Sequence, residues 1–516
     1  MWPSLIAKII LLVTAACCYG VQAFYFTHML QLNSYRDERY MRWCNENTGR
    51  LVSPRRLLPI VAAALAYLTY IPLDDTLLYG IAAGVLLLTT LLNLPRKAKK
   101  PLVVTARVKR LFAAEALLAV VVLAAAYFFG ALQALLLLGL FCSVVWFWVR
   151  IAAFLTSPIE KAIAKRFIND ARRRMAERPD LTVIGITGSY GKTSTKNFLQ
   201  ALLSVKYNVL ITPENFNTTL GVVRTIRENL RPSHQIFVCE MGAKNVGDIK
   251  EICDLVHPQH GVITSIGEQH LETFGSLQNI IATKFELADA LPKDGMLFLN
   301  TDNPHIREQG RTAIGYGLEH GDYTVENIYT DQNGTHFTVV HAAEKVEFTT
   351  RLLGAHNIQN LVGCIAVAHR MGIELKDMAY PIRLLKPVPH RLQLLPNGFI
   401  DDAYNSNPAG FRAALDVLWA FEGQRVLVTP GMVELGERQA ALNRELGEYA
   451  ANRCDYAILV GEKQAPPLKE GLLNGGFDEN RLFVAATLNE ALAILAALPP
   501  AAQRTVLLEN DLPDNF

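Results

Sequence analysis

The sequence predicts a helical membrane region followed by two α/β units, the first built around a phosphate-binding loop. Apolar runs concentrate in the first 155 residues. From Leu181 onward, short β-branched runs alternate with helical patterns, and TGSYGKTS (187–194) lies between a predicted strand and a predicted helix. A chain of 516 residues exceeds one ordinary domain. The predicted divisions are a membrane region at 1–156, a linker at 157–180, a central domain at 181–385 and a C-terminal domain at 386–516.

The membrane region contains apolar runs that are long enough to cross a bilayer. We predict five spans, at residues 5–26, 57–73, 76–94, 112–130 and 131–155. The first run extends beyond the apolar core of a typical signal peptide, and no small-residue cleavage site is evident near its end. We therefore expect it to remain as a span, with cleavage as the competing interpretation.

Basic residues predict the orientation of these spans. Lys and Arg cluster after the first, third and fifth spans, whereas the links at 74–75 and 130 contain none. Cationic loops stay on the cytoplasmic side. The sequence therefore predicts a multi-pass protein of the cell membrane, with its N-terminus outside and its long C-terminal part in the cytoplasm.

The segment 158–178 alternates apolar and basic residues at helical spacing. Such a helix can lie on anionic membrane lipids, or it can be a solvated linker, and the pattern favours neither. The whole chain has 50 Lys+Arg against 48 Asp+Glu, a balance that does not indicate nucleic-acid binding. Its eight cysteines form no CxxC pair, which predicts a reducing compartment and no structural zinc.

The run TVIGI (182–186) predicts a buried strand that leads directly into the glycine-rich segment. Glycines allow backbone N–H groups to approach phosphate oxygens, and the N-terminus of the following helix adds a positive field. Lys192 is expected to reach the β- and γ-phosphates of ATP, and Thr193 to hold Mg²⁺. The loop has the short GxxGKT form. The predicted nucleotide-binding residues here are Gly188, Ser189, Gly191, Lys192, Thr193 and Ser194.

A second α/β unit is predicted after about Leu392. Its strand-like runs are GFIDDAY, QRVLVTP, YAILVG and TVLLEN, separated by helical patterns. Parallel strands with crossover helices predict a Rossmann-like domain.

Several motifs resemble those of the Mur ligase superfamily, which includes the folylpolyglutamate synthetases. After TGSYGKTS, the motifs follow in the family's order: ENFNTTLGV (214–222), FVCEMGAKNVGDI (237–249), SIGEQHLETFGS (265–276), ATKFEL (282–287), GAHNIQN (354–360), PHRLQ (389–393) and DDAYNSNP (401–408). The resemblance covers about residues 181 to 450. It is nearest to the MurF branch, which adds D-alanyl-D-alanine to a cell-wall precursor.

This resemblance implies roles for residues at matching positions. It implies Mg²⁺ ligation by Glu240, His270 and a carbamylated Lys284, alongside Thr193. Asn360 is expected at adenine, Arg391 at the phosphates and Asp402 at the ribose. The expected catalytic residues are Lys192, His270, Lys284 and Arg391, and the expected substrate contacts are Asn217, Thr218, Asn405 and Asn407. Mg²⁺ prefers hard oxygen ligands, which agrees with Glu240 and Thr193.

The implied reaction activates a carboxylate as an acyl phosphate, which an amine then attacks. Two departures leave the substrates open. The MurF branch grips UDP with an N-terminal domain where this chain has membrane spans, and its KGSR-like run is replaced here by VLLENDLPDNF (506–516). The precursor peptide is therefore expected to be UDP-linked or lipid-linked, with a lipid-linked or membrane-presented form as our hypothesis. The amine is expected to be an amino acid or dipeptide.

Two other classes compete with this interpretation. The soluble part could be a non-catalytic ATP-binding scaffold that recruits cell-wall enzymes to the membrane. Retention of Lys192, Glu240 and Arg391 together argues against that class, since decay would remove some of them. An ATP-driven transporter is disfavoured because the predicted spans contain few charges apart from Lys8 and Glu115 and no second cassette motif follows.

Overall fold

The computed structural model describes the chain except for residues 1, 70–72, 96–99, 215, 270, 332–333, 388–389, 396, 404–406, 434, 462–464 and 511–516. The described residues divide into two compact units, the first within residues 1–165 and the second within residues 166–510. The domain boundaries predicted above stay predictions.

The first unit is helical. Its elements are α1 (Trp2–Leu32), α2 (Asp37–Glu46), α3 (Thr48–Leu51), α4 (Pro54–Leu68), α5 (Asp75–Leu92), α6 (Ala106–Phe128), α7 (Ala131–Ser143) and α8 (Val145–Ala176), the last of which continues into the second unit. Apolar side chains of α1 and α4–α8 form its core. Ion pairs fasten the polar segments, with Arg110 pairing with Glu160 and Arg150 with Asp37.

In the described residues, α1, α5 and α6 are long and apolar enough to cross a membrane by length and composition. Helices α7 and α8 are bent by 76° on either side of Val144 and add a fourth candidate if they count as one broken span. The predicted run 131–155 thus folds as two helices rather than one. The predicted run 57–73 forms α4, which has 15 residues. Five spans stay a prediction.

The central part of the second unit has a parallel sheet, as predicted. Its strands are β1 (Thr182–Thr187), β2 (Val209–Ile211), β3 (Ile236–Glu240), β4 (His260–Ile263), β5 (Leu297–Asn300) and β6 (Ile314–Tyr316), in the order β2-β3-β1-β4-β5-β6. Helices between and after them are α9 (Lys192–Leu203), α10 (Thr219–Asn229), α11 (Asp248–Val256), α12 (Leu271–Phe274), α13 (Leu277–Asp289) and α14 (Pro304–Arg307). Buried apolar residues cover both faces of this sheet, as expected where crossover helices flank parallel strands.

An antiparallel sheet that the sequence analysis did not predict follows. Its strands are β7 (Thr324–Asp331), β8 (Gly334–His341) and β9 (Glu344–Thr350), paired in that order. Then come α15 (Ala355–Arg370), a 3-10 turn at Leu375–Met378, and α16 (Ala379–Leu384). Phe337 and Phe348 of this sheet join the same core as α9 and α15, so the sheet supports the nucleotide-loop side of the unit.

The C-terminal part is the predicted Rossmann-like α/β arrangement. Its strands are β10 (Gln393–Leu394), β11 (Phe399–Asp402), β12 (Gln424–Thr429), β13 (Tyr456–Val460), β14 (Leu482–Ala485) and β15 (Arg504–Glu509), in the order β10-β11-β15-β12-β13-β14. Only the short β10 is antiparallel to its neighbour. The helices are α17 (Pro408–Trp419), α18 (Gln439–Ala450), α19 (Ala465–Asn474) and α20 (Leu488–Ala497), with 3-10 turns at Gly436–Arg438 and Glu479–Arg481. The carboxyl ends of its parallel strands include Asp402 and Glu509, which lie side by side.

Candidate active site

The glycine-rich loop joins β1 to α9 in the predicted way. Gly191 precedes the helix with φ +82°, in the left-handed region that favours glycine. A Cβ atom there would lie 2.5 Å from Oδ1 of Asn360, and one at Gly188 (φ +146°) would overlap the Thr264 hydroxyl. The two glycines therefore allow neighbouring segments to approach the loop closely, and one of these segments presents Asn360.

The loop is fixed by the segment that follows β4. The Ser189 N–H donates to Ser265 O (2.6 Å), and the Ser189 hydroxyl donates to Gly267 O (3.0 Å). Tyr190 donates through its hydroxyl to Glu268 O (2.9 Å). These bonds hold the segment 264–268 against the phosphate loop. His270 follows that segment, and it lies outside the described residues.

Lys192 lies within the loop and folds back onto it. Its Nζ donates to Gly188 O (2.6 Å) and Ser189 O (3.0 Å). Burial lowers the pKa of Lys192 to about 8; the charge of Glu240 opposes this shift and that of Arg391 adds to it. When a nucleotide binds, its phosphate oxygens would replace these two backbone carbonyls as the hydrogen-bond acceptors of the ammonium. Ser194, in the first turn of α9, is buried.

Glu240 ends β3 and is 1% exposed. Its Oε1 accepts hydrogen bonds from the Thr193 hydroxyl (3.1 Å) and from Asn217 Nδ2 (3.0 Å). Its Oε2 lies 2.9 Å from Nζ of Lys196, a contact that is an ion pair rather than a well-aligned hydrogen bond. Burial alone would raise the pKa of Glu240, but the charges of Lys196 and Lys192 hold it below its ordinary value.

The donor set around Glu240 fits Mg²⁺ in its chemistry. A carboxylate oxygen and a threonine hydroxyl lie 3.1 Å apart, beside a loop built for phosphate. Among the described residues, no group of three His, Cys, Asp or Glu side chains could hold a metal by itself.

Lys284 lies on α13 and is 2% exposed, with its Nζ 5.8 Å from the centre of the Phe274 ring. Burial lowers its pKa to about 7, and the charge of Lys192 adds to that shift. An uncharged amine is the nucleophilic form of lysine. Its buried place on the same side of the unit as Lys192 distinguishes it from a solvated surface lysine.

The residues expected at the nucleotide come from two separate segments. Asn360 of α15 is buried next to Gly191. Arg391 is half-buried, and its charge lowers the pKa of Lys192 and of His356. Asp402 ends β11, where its Oδ1 accepts from the Leu392 N–H at 3.0 Å. Burial raises the pKa of Asp402 to about 6.

The four predicted substrate contacts have different outcomes. Asn217 reaches Glu240, as described above, whereas the Thr218 hydroxyl accepts from Gly221 N and begins α10. Asn407 also caps a helix, since its Oδ1 accepts from Gly410 N at 2.8 Å. Asn405 lies outside the described residues. Contact of any of these with a substrate stays a prediction.

Sequence reasoning missed two residues of this site. Lys196 is fully buried beside Glu240. The sequence signal for it was its position: Lys196 is a charged residue on the apolar face of α9, one turn after Lys192. His356, one turn before Asn360 on α15, has a buried Nδ1 atom with no hydrogen-bond partner among the described residues. Burial lowers the pKa of His356 to about 4, and the charge of Arg391 contributes, so its ring is uncharged.

Comparison with known proteins identifies the family. The family model of the Mur ligase middle domain matches residues 186–368, and that of the Mur ligase, glutamate ligase domain, matches residues 390–508. A UDP-N-acetylmuramoyl-tripeptide–D-alanyl-D-alanine ligase of Bacillus subtilis is 34% identical over 311 residues, which are 58% of this chain and 66% of that protein. The enzyme of that name from Escherichia coli is 31% identical over 331 residues, or 60% and 73% of the two chains.

A solved structure shows the same fold. The crystal structure of MurF ligase from Thermotoga maritima in complex with ADP matches with a TM-score of 0.61 and 26% identity, over 67% of this chain and 80% of that one. The chain spans about two thirds of the length of the curated relatives that it matches. With both domain models matched in the expected order, the chain belongs to the Mur ligase family.

Proposed function

We propose that this protein is a membrane-anchored, ATP-dependent ligase of cell-wall precursor synthesis. It activates the carboxylate of a UDP- or lipid-linked muramoyl peptide and joins it to an amine, of which D-alanyl-D-alanine is the first candidate. The observation that supports this best is the hydrogen bond between Thr193 and Glu240 beside Lys192, which gathers a cation-binding oxygen pair and a phosphate-binding ammonium in one place. The names of the relatives support the choice of substrates.

In the proposed reaction, the loop amides and Lys192 hold the β- and γ-phosphates of ATP, and Arg391 approaches them from the C-terminal part. The carboxylate oxygen attacks the γ-phosphorus, the bond to the β–γ bridging oxygen breaks, and an acyl phosphate and ADP form. The neutral amine then attacks the acyl carbon, the C–O bond to phosphate breaks, and the amine loses a proton. Positioning and charge stabilisation account for most of the catalysis in such transfers.

Mg²⁺, when bound, would neutralise charge on the transferring phosphoryl group. Thr193 and Glu240 would hold it, with His270 as a further ligand and Lys284 contributing through a carbamate. A lysine carbamate is an anionic oxygen ligand, which suits this cation. Growth with ¹³C-bicarbonate should give a carbamate carbon signal in the wild type that is absent from Lys284→Arg; equal spectra would remove the carbamate from the proposal.

The membrane anchor is proposed from the apolar helices α1, α5 and α6 and from the cationic loops. It would keep the ligase at the inner membrane face, where lipid-linked precursors are available. The linker segment 158–178 contributes to this location if its basic side chains meet anionic lipids. Exposed Phe154, Leu155 and Ile159 in the same helix are compatible with that contact.

The test is ADP release by the detergent-solubilised full-length enzyme with Mg²⁺, D-alanyl-D-alanine and either a UDP-linked or a lipid-linked muramoyl peptide. We expect peptide-dependent ADP release that Lys192→Ala lowers by about 10³-fold. Lys250→Ala, a change of the same type at an exposed lysine, serves as control. Absence of peptide-dependent ADP release from the wild type would support the scaffold instead. Stimulation by the UDP-linked form alone would exclude the lipid-linked substrate.

A further inference from the structure

Lys196 is a buried lysine whose ammonium contacts oxygen atoms of two different segments. It is 1% exposed, and its Nζ lies 2.9 Å from Glu240 Oε2 while donating a 2.6 Å hydrogen bond to the carbonyl of Glu214. Glu214 belongs to the segment 212–218, of which Asn215 lies outside the described residues. Glu214 has a backbone φ of +42°, in the left-handed region that a non-glycine residue rarely adopts. Lys196 therefore holds a strained point of this segment against the carboxylate that ends β3.

The same segment contacts the end of β3 at three more places. The Thr212 hydroxyl accepts from the Glu240 N–H (3.1 Å), and Asn217 Nδ2 donates to Glu240 Oε1 (3.0 Å). The Gly242 N–H donates to Asn217 O (2.6 Å), and a Cβ atom at Gly242 would lie 2.7 Å from the Asn217 side chain. The conformation of the segment is therefore set by Glu240 and its immediate neighbours.

Stability alone gives little reason for this arrangement. A buried ion pair contributes little net stability, because the cost of desolvating both charges offsets their attraction. An apolar side chain would fill the interior position at least as well. An apolar side chain could not hold the Glu214 carbonyl and Glu240 Oε2 together. Because Lys196 contacts Oε2, the other carboxylate oxygen, Oε1, faces Thr193 of the phosphate loop.

We infer that Lys196 is a positioning residue that couples the segment 212–218 to the nucleotide site, so that binding of a magnesium nucleotide at Glu240 and Thr193 orders this segment for the carboxylate-bearing peptide. The inference rests on the proposed function, which assigns a magnesium nucleotide to Thr193 and Glu240 and a carboxylate-bearing peptide as the second substrate, and on the expected substrate contact Asn217 in this segment. Lys196 contacts neither ligand. It acts through Glu240 and the Glu214 carbonyl.

The test uses the detergent-solubilised full-length enzyme and two variants. Lys196→Met removes the charge and the donor, whereas Lys196→Gln keeps a donor without the charge. Lys250→Met is the matched control, because the Lys250 side chain is 66% exposed and pairs with surface Asp254 in the i,i+4 position. The measurements are ADP affinity with and without Mg²⁺, kcat and KM with whichever muramoyl peptide, UDP-linked or lipid-linked, stimulates ADP release by the wild type, and hydrogen exchange of the peptide that covers 212–218.

We expect Lys196→Met to raise the KM for the muramoyl peptide at least about tenfold while changing ADP affinity without Mg²⁺ less than about threefold. The protection of 212–218 that ADP and Mg²⁺ give the wild type should be lost. Lys196→Gln should show smaller changes of the same kind in peptide KM and in protection. If Lys196→Met does not fold, the measurements on Lys196→Gln test the inference. Lys250→Met should match the wild type.

Wild-type values of peptide KM and of nucleotide-induced protection in the folded variants would overturn the inference. So would equal losses of ADP affinity and peptide affinity, since a merely structural role predicts a general loss. Either result would leave the proposed function standing, provided the wild type releases ADP. Failure of the wild type to bind ATP or release ADP would instead defeat the proposed function.

Discussion

The Thr193 hydroxyl donates a 3.1 Å hydrogen bond to Oε1 of Glu240, joining the phosphate-loop helix α9 to the end of β3. The two residues are 47 positions apart in the chain, and the parallel pairing of β1 with β3 brings them together. Carboxyl ends of adjacent parallel strands are the usual place for ligands in open α/β sheets.

Glu240→Gln should destabilise the protein, because it leaves Lys196 as a buried cation without its counter-charge. Removing one partner of a buried pair costs about 3–5 kcal/mol of the free energy of unfolding. Glu228→Gln is the control, since Glu228 pairs with Arg224 at the surface and such pairs contribute about 0–1 kcal/mol. Thermal unfolding midpoints of the two variants measure this, and equal midpoints would contradict the prediction.

Gly191→Ala should weaken ADP binding at least about tenfold. The added Cβ would lie 2.5 Å from Asn360 Oδ1, and the left-handed φ of +82° strains any other residue by about 1–2 kcal/mol. Gly476→Ala is the matched control, with φ +84° and no atom within 4 Å of the new Cβ. Calorimetric titration with ADP compares them. If both variants bind ADP like the wild type, the loop does not depend on this close approach.

The free energy of unfolding should fall as pH rises from about 4 to about 6, because the buried Asp402 loses its proton in this range. Burial raises the pKa of Asp402 to about 6, so the folded protein binds this proton more tightly than the unfolded chain does. The contribution to stability is therefore greatest below the unfolded pKa and is lost as pH rises through the folded one, by at most about 3 kcal/mol.

Asp402→Asn should remove this pH dependence. The difference in unfolding midpoint between wild type and Asp402→Asn, measured from pH 4 to pH 8, is the readout. The variant should be the more stable of the two above pH 6, where the wild type buries a charged carboxylate. A difference that stays constant across the range would show that Asp402 does not titrate as predicted.

An N-terminal epitope tag should be removed by protease added to the outside of spheroplasts, whereas the second unit should stay intact until the membrane is opened. The charge distribution of the loops predicts that the N-terminus lies outside and the second unit inside. Immunoblots with antibodies against the tag and against the C-terminal half follow the two ends. Protection of the tag in intact spheroplasts would reverse the predicted orientation.

The regular elements were predictable because their signals are local. The β-branched runs at 182–186, 424–430 and 456–461 form strands β1, β12 and β13, and the predicted glycine turn before Lys192 is a loop with positive φ angles at Gly188 and Gly191. Apolar length likewise predicted α1, α5 and α6. The motif order predicted the family, and the comparisons confirmed it.

Features that depend on contacts between distant segments were not predictable in this way. Nothing in the apolar run 131–155 marks Val144 as the place of a 76° bend, because neither Pro nor Gly stands there and packing decides the direction of each half. The sequence analysis did not predict the antiparallel strands β7–β9, although β8 and β9 alternate apolar and polar residues. Only strands of parallel sheets were predicted.

The residue types of the phosphate loop, the strands β1, β12 and β13, the apolar helices and the family were all evident from local sequence signals. The tertiary structure decided that Lys196 is a buried partner of Glu240 and that Asn217 shares the same carboxylate. The physical reason is that burial and charge pairing depend on which segments meet. The sequence does not distinguish a lysine whose ammonium is in water from one whose ammonium is buried beside a carboxylate.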